Sequence, residues 1–562
     1  MSASANIARH LPLMAARQPD FPAIKIPRGR RGDRIDYLAL SFRELDAEVD
    51  AWVAHLQRRG VRRDDRVLVM VRQGLPLIAA AFALFKLGAV PVIIDPGMGK
   101  ESFLACVARS RPRVLLGIPL AQLFSYLHRA AFASVAVRVW VSGSATARCP
   151  AAKSRLAPAT LVDSAATDLA AVLFTSGSTG APKGVCYEHG MFDAQVRLVR
   201  DTYGIQPGEV DLPLLPIFAL FNPALGMTTI VPEIDPSKPA TVDPAKIVQA
   251  IRQERVTNSF GSPTLWRKIA AHCAESEVRL PTLRRVLMAG APVPPALFAA
   301  VQDLLPNGAA HSPYGATEAL PLCSITAAEV SAETAGATAR GAGTCVGRPV
   351  PGIELRIVTL TDGPLATLAD TRELPAGEIG EIIVRGPVVT KLYDALPEAT
   401  VAAKITGPDG AHWHRMGDAG YLDAQGRLWF CGRKAERVET RQGTLYPDQV
   451  EAIFNAHPEV RRTALVGIGP RPHQRPAIVA EPLSREVVAT PSLRRKLVRE
   501  LRALGVQHPH TDRIRFAFLH PGFPVDVRHN AKIHRLQLAK WASHHSGYEL
   551  DKRDVSVESL RR

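Results

Sequence analysis

The stretch AVLFTSGSTGAPKGVCYEHG, residues 171–190, decides how this chain is read. An apolar, strand-like run ending at Phe174 breaks into Thr175, Ser176, Gly177, Ser178, Thr179 and Gly180, and Pro182, Lys183 and Gly184 follow. Hydroxyls and glycines let donors approach an anion closely, and a lysine adds a mobile positive charge, so the loop suits a polyphosphate. A Walker A loop requires G-x-x-x-x-G-K-[ST]. Counted from Gly177, Pro182 takes the place of the second glycine and Gly184 follows the lysine, so that reading fails on spacing. A flexible Ser/Gly linker has no need of an apolar strand on one side and a lysine on the other.

Around this loop the texture is that of an α/β protein. FRELDAEVDAWVAHLQRRG (42–60) reads as a helix, DRVLVMV (65–71) as a strand, LIAAAFALFKLG (77–88) as a helix and AVPVIID (89–95) as a strand. VTNSFGS (256–262) and RRVLMAGAP (284–292) continue the alternation, which implies parallel strands with crossover helices and ligand sites at the strand ends. From about Gly341 short strands separated by Gly and Pro (GIELRIVTL, GEIGEIIVRG, GRLWFCGRK) mark a β-rich subdomain. After Arg433 the pattern is mixed again: a strand RRTALVGIG, a charged helix near 491–504 and a helix from about Ala531. Two domains are therefore expected, 1–432 and a smaller lid 433–562, consistent with single cores that stop growing near about 250–300 residues.

Composition narrows the class. With 46% hydrophobic and 22% charged residues the chain is globular. Its seven cysteines are scattered singly with no C-x-x-C pair, so neither a disulfide framework nor a zinc site is suggested, and a reduced cytoplasmic setting is expected. The start, MSASANIARHLPLMAARQPD, reads as an amphipathic first helix rather than an export signal. Leu77–Phe85 is only nine residues long, where a span needs about 20, so the chain is expected not to cross a bilayer. The net charge of +16 is spread out, and the clusters RGRRGDR (28–34) and RRKLVRELR (494–502) lack interleaved aromatics. That points to a solvated basic surface that attracts anionic substrates, with no nucleic acid partner and with peripheral membrane contact left open.

LFTSGSTGAPKGV resembles the phosphate loop of the adenylate-forming superfamily, which includes acyl-CoA synthetases, nonribosomal peptide adenylation domains and firefly-type luciferases. YGATE (314–318), HRMGDAGYLDAQGRLWFCGRK (414–434) and NAKI (530–533) match further motifs in the same order. The resemblance implies that Thr175, Ser176, Gly177, Ser178, Thr179, Gly180 and Lys183 wrap the β and γ phosphates of ATP. It places Gly290, Ala291 and Pro292 at the adenine, with Tyr314 near the base and Gly315 and Ala316 beside it. Thr317 is to touch the α-phosphate, Glu318 to hold Mg²⁺, Asp418 to bind the ribose hydroxyls and Arg433 to fix the nucleotide. Lys532 matches the mobile lid lysine that binds the forming acyl-adenylate. The chemistry agrees: a carboxylate attacking a phosphate brings two anions together, so cations must neutralise the site, and an acid accepts both hydroxyls of a diol.

What consumes the adenylate is argued from departures. A thiol acceptor typically goes with an Asp or Lys two positions past the hinge Gly-Arg and with a Lys-x-Arg-Gly segment beside the pantetheine arm. Here Ala435 stands at the hinge, Glu439 replaces the lysine and Gln442 the glycine. LPIFALFNPALG, FGSPTLWR, AGAPVPP, GAGTCVG, RHNAKI and FCGRKAERVET together resemble the β-lactone synthetases of bacterial long-chain olefin biosynthesis. That family implies a long-chain 2-alkyl-3-hydroxy acid substrate, closure of a β-lactone by its own hydroxyl, and other olefin-pathway enzymes as partners in an assembly. His189, His414, His529 and Glu439 are candidates for the base, and the segment carrying Phe218 and Phe221 is expected to border an alkyl channel. An acyl-CoA synthetase or fatty-acyl-AMP ligase, and a non-catalytic scaffold, are the alternatives.

Overall fold

The computed structural model describes residues 4–153, 157–175, 181–235, 241–525 and 532–549. Two large sheets carry the first 433 residues. In one, the strands Val137–Trp140, Val114–Gly117, Arg66–Met70, Val90–Ile93 and Leu169–Thr175 lie parallel, and Lys183–Glu188 closes the edge antiparallel. Their apolar runs are buried on both faces by helices such as Leu75–Leu87, which is itself buried almost throughout. Phe42–Arg58 starts at Ser41, whose hydroxyl accepts from Glu44 N while the Glu44 carboxylate accepts from Ser41 N, and it buries Leu45, Val49, Trp52 and Leu56.

The second sheet runs on through the β-rich segment expected as a separate subdomain. Asn258–Gly261, Arg285–Met288 and Ala309–Ala316 are parallel neighbours, after which the pairing turns antiparallel through Ala319–Thr326, Thr344–Pro349, Leu428–Arg433 and His412–Leu422. The joint has a steric reason. Gly347 sits at φ +86, and a Cβ there would lie 1.9 Å from Ser324 O, so only glycine lets Thr344–Pro349 approach both neighbours.

Residues beyond the hinge form their own layer: a sheet of Val460–Ile468, Arg475–Pro482, Phe516–Leu519 and Tyr548–Glu549, covered by Pro447–Phe454, Pro491–Gly505 and Arg535–Ala542. The last helix starts at Arg535, later than expected, because residues 532–534 lie outside any helix; Ala531 lies outside the described residues. The apolar clusters around Phe454 and Phe518 are built entirely from residues after Arg437. All seven cysteines are buried and unbridged. Among the described residues no helix is long and apolar enough to cross a membrane.

Gly347→Ala tests the joint. It is expected to cost about 3 kcal/mol or more, through a left-handed backbone and a blocked strand pairing. Thermal unfolding should show a midpoint several degrees lower, and an unchanged midpoint would mean the two halves of the sheet are not held by this contact.

Candidate active site

Two hairpins and one strap make the site. Leu169–Thr175 and Lys183–Glu188 pair with Thr175 opposite Lys183, so the loop between them is carried at the tip of a hairpin. Ser176, Gly177, Ser178, Thr179 and Gly180 lie outside the described residues. Ala309–Ala316 and Ala319–Thr326 pair with Ala316 opposite Ala319, which places Thr317 and Glu318 alone at a two-residue turn. Gly290, Ala291 and Pro292 follow the carboxyl end of Arg285–Met288, the parallel neighbour of the strand bearing Tyr314.

The strap is Thr390–Asp394, a segment the sequence did not single out. Thr390 N and Oγ1 donate to Glu318 O at 2.9 and 3.1 Å. The Tyr393 hydroxyl donates to Glu318 Oε1 at 2.8 Å, and Lys183 Nζ stands over the same ring, 4.7 Å from its centroid. Asp394 N donates to Gly184 O at 2.7 Å and its carboxylate pairs with Arg66 at 2.8 Å. Gly184 is required by this contact, because a Cβ would fall 2.8 Å from the Phe174 ring and 3.0 Å from Asp394 Cβ. The Tyr187 hydroxyl donates to Thr317 O, holding the turn from the other side.

Asp418 and Arg433 face each other across paired strands. Tyr314 donates its hydroxyl to Asp418 Oδ2 at 2.6 Å. Arg433 Nη1 lies 2.8 Å from Oδ1 but off the line of a hydrogen bond, so that oxygen keeps its acceptor capacity. Burial raises the Asp418 carboxyl above its usual range against the pull of Arg433, Tyr314 and Lys532, and the last of these places the ammonium of Lys532 within electrostatic reach of the site. Burial and the Asp418 charge push the Tyr314 phenol well up, so it stays a donor.

Of the four base candidates, His189 is structural: its Nδ1 accepts from Ile7 N at 3.2 Å, and burial holds it neutral, down to about 4. Glu439 is paired with Arg437 at 2.6 Å. His529 lies outside the described residues. His414 is in the site: burial, with Lys404, Lys183 and Arg433 nearby, holds it well below its ordinary pKa, and among the described residues its Nδ1 has no hydrogen-bond partner. Glu439 and Gln442 sit in the small hairpin of Val438–Thr440 and Gly443–Leu445, with Gln442 at its turn. No group of three or more potential metal ligands occurs among the described residues. A single carboxylate with bound phosphates nevertheless suits Mg²⁺, which keeps most of its waters.

Beneath the turn an apolar cavity of about 60 Å³ is lined by Phe218, Phe221, Phe260, Leu225, Leu320 and Gln195. Phe218 stacks on Phe260 with centroids 3.7 Å apart. Both of the phenylalanines singled out in the sequence line this cavity.

The family model for AMP-binding enzymes matches residues 13–394. The olefin beta-lactone synthetase of Xanthomonas campestris pv. campestris is 47% identical, over 97% of this chain and 98% of that protein. The protein of the same name from Stenotrophomonas maltophilia is 45% identical, over 98% of this chain and 100% of that protein. Among solved structures, ATP-bound MatB from Rhodopseudomonas palustris shares the fold with a TM-score of 0.77 at 20% identity, covering 96% of this chain and 99% of that one.

Lys404 gives a pH test. It is buried, donates to Thr390 O, and desolvation lowers its ammonium from 10.5 to about 7 against the pull of Glu318. Between those two values the unfolded chain binds more protons than the native one, so stability rises with pH across that window. Replacing Lys404 by Met should remove that rise. Unfolding midpoints from about pH 6 to pH 9 check it, and equal slopes for the two proteins would contradict it.

Proposed function

The chain belongs to the AMP-binding enzyme family, and from that premise we propose that it is an ATP-dependent olefin β-lactone synthetase. Its substrate is a long-chain 2-alkyl-3-hydroxy fatty acid. The observation that carries the reading is the near-full-length likeness to two proteins of that name, supported by a hinge segment in which Glu439 is tied to Arg437. We divide the chain into an adenylating domain, 1–432, and a lid, 433–562, and place it in the cytoplasm beside other enzymes of olefin formation.

In the first step the substrate carboxylate attacks the α-phosphorus and pyrophosphate leaves. Thr175 to Gly180 and Lys183 hold the departing phosphates, Thr317 meets the α-phosphate, and Lys532 offsets the charge of the attacking carboxylate. Glu318 would hold Mg²⁺, which would supply positive charge where negative charge accumulates. Asp418, whose Oδ1 retains acceptor capacity, takes the ribose hydroxyls, and Gly290, Ala291, Pro292, Tyr314, Gly315 and Ala316 flank the base, with Arg433 fixing the nucleotide.

In the second step the substrate's own hydroxyl oxygen attacks the acyl carbon, its proton passes to a base for which His414 and His529 are the candidates left once His189 and Glu439 are set aside, and AMP leaves with the electrons of the broken C–O bond. Tethering makes this attack intramolecular, which is worth up to about 7–11 kcal/mol when well oriented and offsets ring strain together with the activated anhydride.

Purified protein given a synthetic 2-alkyl-3-hydroxy acid, ATP and Mg²⁺ should release AMP and pyrophosphate and form a β-lactone without CoA. Free acid alone, or a thioester that requires CoA, would overturn the reading.

A further inference from the structure

The helix Pro119–Leu127 is turned inside out. It buries Ala121, Gln122 and Ser125, while Leu120, Leu123, Tyr126 and Leu127 are 71%, 55%, 47% and 70% exposed. The inward side is tied to the sheet: Gln122 Nε2 donates to Val139 O at 3.0 Å and Ser125 Oγ to Gln122 O at 2.7 Å, although Gln122 Oε1 meets no donor among the described residues. Trp140, closing the edge strand Val137–Trp140, is 49% exposed, and the Arg138 guanidinium lies 4.6 Å over the Tyr126 ring. From Ser102 to Val162 the sequence contains no Asp or Glu and eight Lys or Arg, among them exposed Arg111 and Arg129.

We propose that this face docks the protein onto an anionic lipid bilayer. Leucines with Trp and Tyr among arginines are the composition of a segment that lies in the headgroup layer. Arg113 and Arg148 are paired with Asp65 and Glu48, while Arg129 and Arg138 beside the exposed apolar residues complement anionic headgroups and would repel a second copy of the same face. The proposal does not depend on the reaction, although a two-chain acid would be drawn from that surface.

Co-sedimentation with vesicles of phosphatidylcholine containing about one-third phosphatidylglycerol tests it. The wild type should bind these and not pure phosphatidylcholine. Leu120→Glu combined with Leu127→Glu should lower the partition coefficient about tenfold or more, with the unfolding midpoint and the exchange of pyrophosphate into ATP on detergent-dispersed acid unchanged. Absence of wild-type binding, or equal binding by the double variant, overturns the proposal. So does a wild-type oligomer that the double variant resolves into monomers.

A different observation concerns the cavity. Gln195 is buried, its Nε2 donates to Leu320 O at 3.0 Å, and it neighbours the Tyr187 hydroxyl that holds Thr317 O. Its Oε1 meets no hydrogen-bond donor among the described residues, yet Gln195 lines the apolar cavity. Asn258 Oδ1 is likewise unpartnered, but it lies at the amino end of Asn258–Gly261, about 10 Å along the strand from that strand's carboxyl end. We infer, resting on the proposed reaction, that Gln195 accepts a hydrogen bond from the substrate's β-hydroxyl, which lies two carbons from the carboxyl, and so selects hydroxy acids over simple branched ones.

Acid-dependent exchange of pyrophosphate into ATP reads this without requiring lactone closure. Wild type should favour the 3-hydroxy acid over its 3-deoxy analogue by about 10- to 100-fold in kcat/KM, because the analogue leaves the buried acceptor unmet. Gln195→Met should reduce the preference to about threefold or less, chiefly by a lower kcat/KM on the hydroxy acid. No preference in the wild type, or a preference retained by the variant, overturns the inference. Whether the wild-type product is a lactone is scored separately, so failure of the reaction reading stays distinct.

Discussion

The site depends on one aromatic ring. Tyr393 donates to the Glu318 carboxylate and lies under the Lys183 ammonium, so a single side chain gathers an acid from one sheet and a base from another. A direct contact, the Tyr187 hydroxyl donating to Thr317 O, fixes one hairpin against the other. The strap does so by backbone as well, through Thr390 to Glu318 and Asp394 to Gly184, which makes the relation between phosphate loop and turn a property of folded structure and not of side-chain rotamers alone. Preorganisation of this kind matters because the chemistry concentrates negative charge, and dipoles already in place require no reorganisation when it develops.

A second cluster is built on the same logic. Asp418 is held by Tyr314 from the parallel part of the long sheet and faced by Arg433 from the antiparallel part, and Gly347 is what allows those parts to join. Burying a carboxylate is costly unless it is paired and hydrogen-bonded, and Asp418 has both kinds of support while keeping one oxygen for a ligand. The influence of Lys532 on Asp418 brings the C-terminal layer into the same centre.

Much of this was legible in the sequence because it is local. The strand at 66–70, the helix at 75–87 and the phosphate hairpin follow from apolar periodicity and punctuation, and the ordered motifs carried Tyr314, Glu318, Asp418 and Arg433 with them. Tyr393 was not legible: its partner is 75 positions away, and its neighbourhood has no spacing that signals chemistry. Lys404 reads as an ordinary surface lysine until the fold buries it, and Gln195 as a polar position on a helix until the cavity surrounds it. The β-rich segment looked like a unit of its own because strand pairing partners are invisible to periodicity. His189 lost its candidacy for the same reason, since only a tertiary contact with Ile7 shows it occupied, whereas Glu439 is taken up by Arg437, two positions before it.

The inverted helix at 119–127 shows the limit of pattern reading from the other side: its apolar stripe is sound, but it faces outward, and a helical period cannot say which face meets the sheet. We propose that Lys532 of the C-terminal layer completes an adenylating site organised by Tyr393 and Asp418. Exchange of pyrophosphate into ATP, dependent on the hydroxy acid and measured for Lys532→Ala, tests it most directly. Exchange should fall by about a hundredfold or more with the unfolding midpoint unchanged; exchange at the wild-type rate would contradict it.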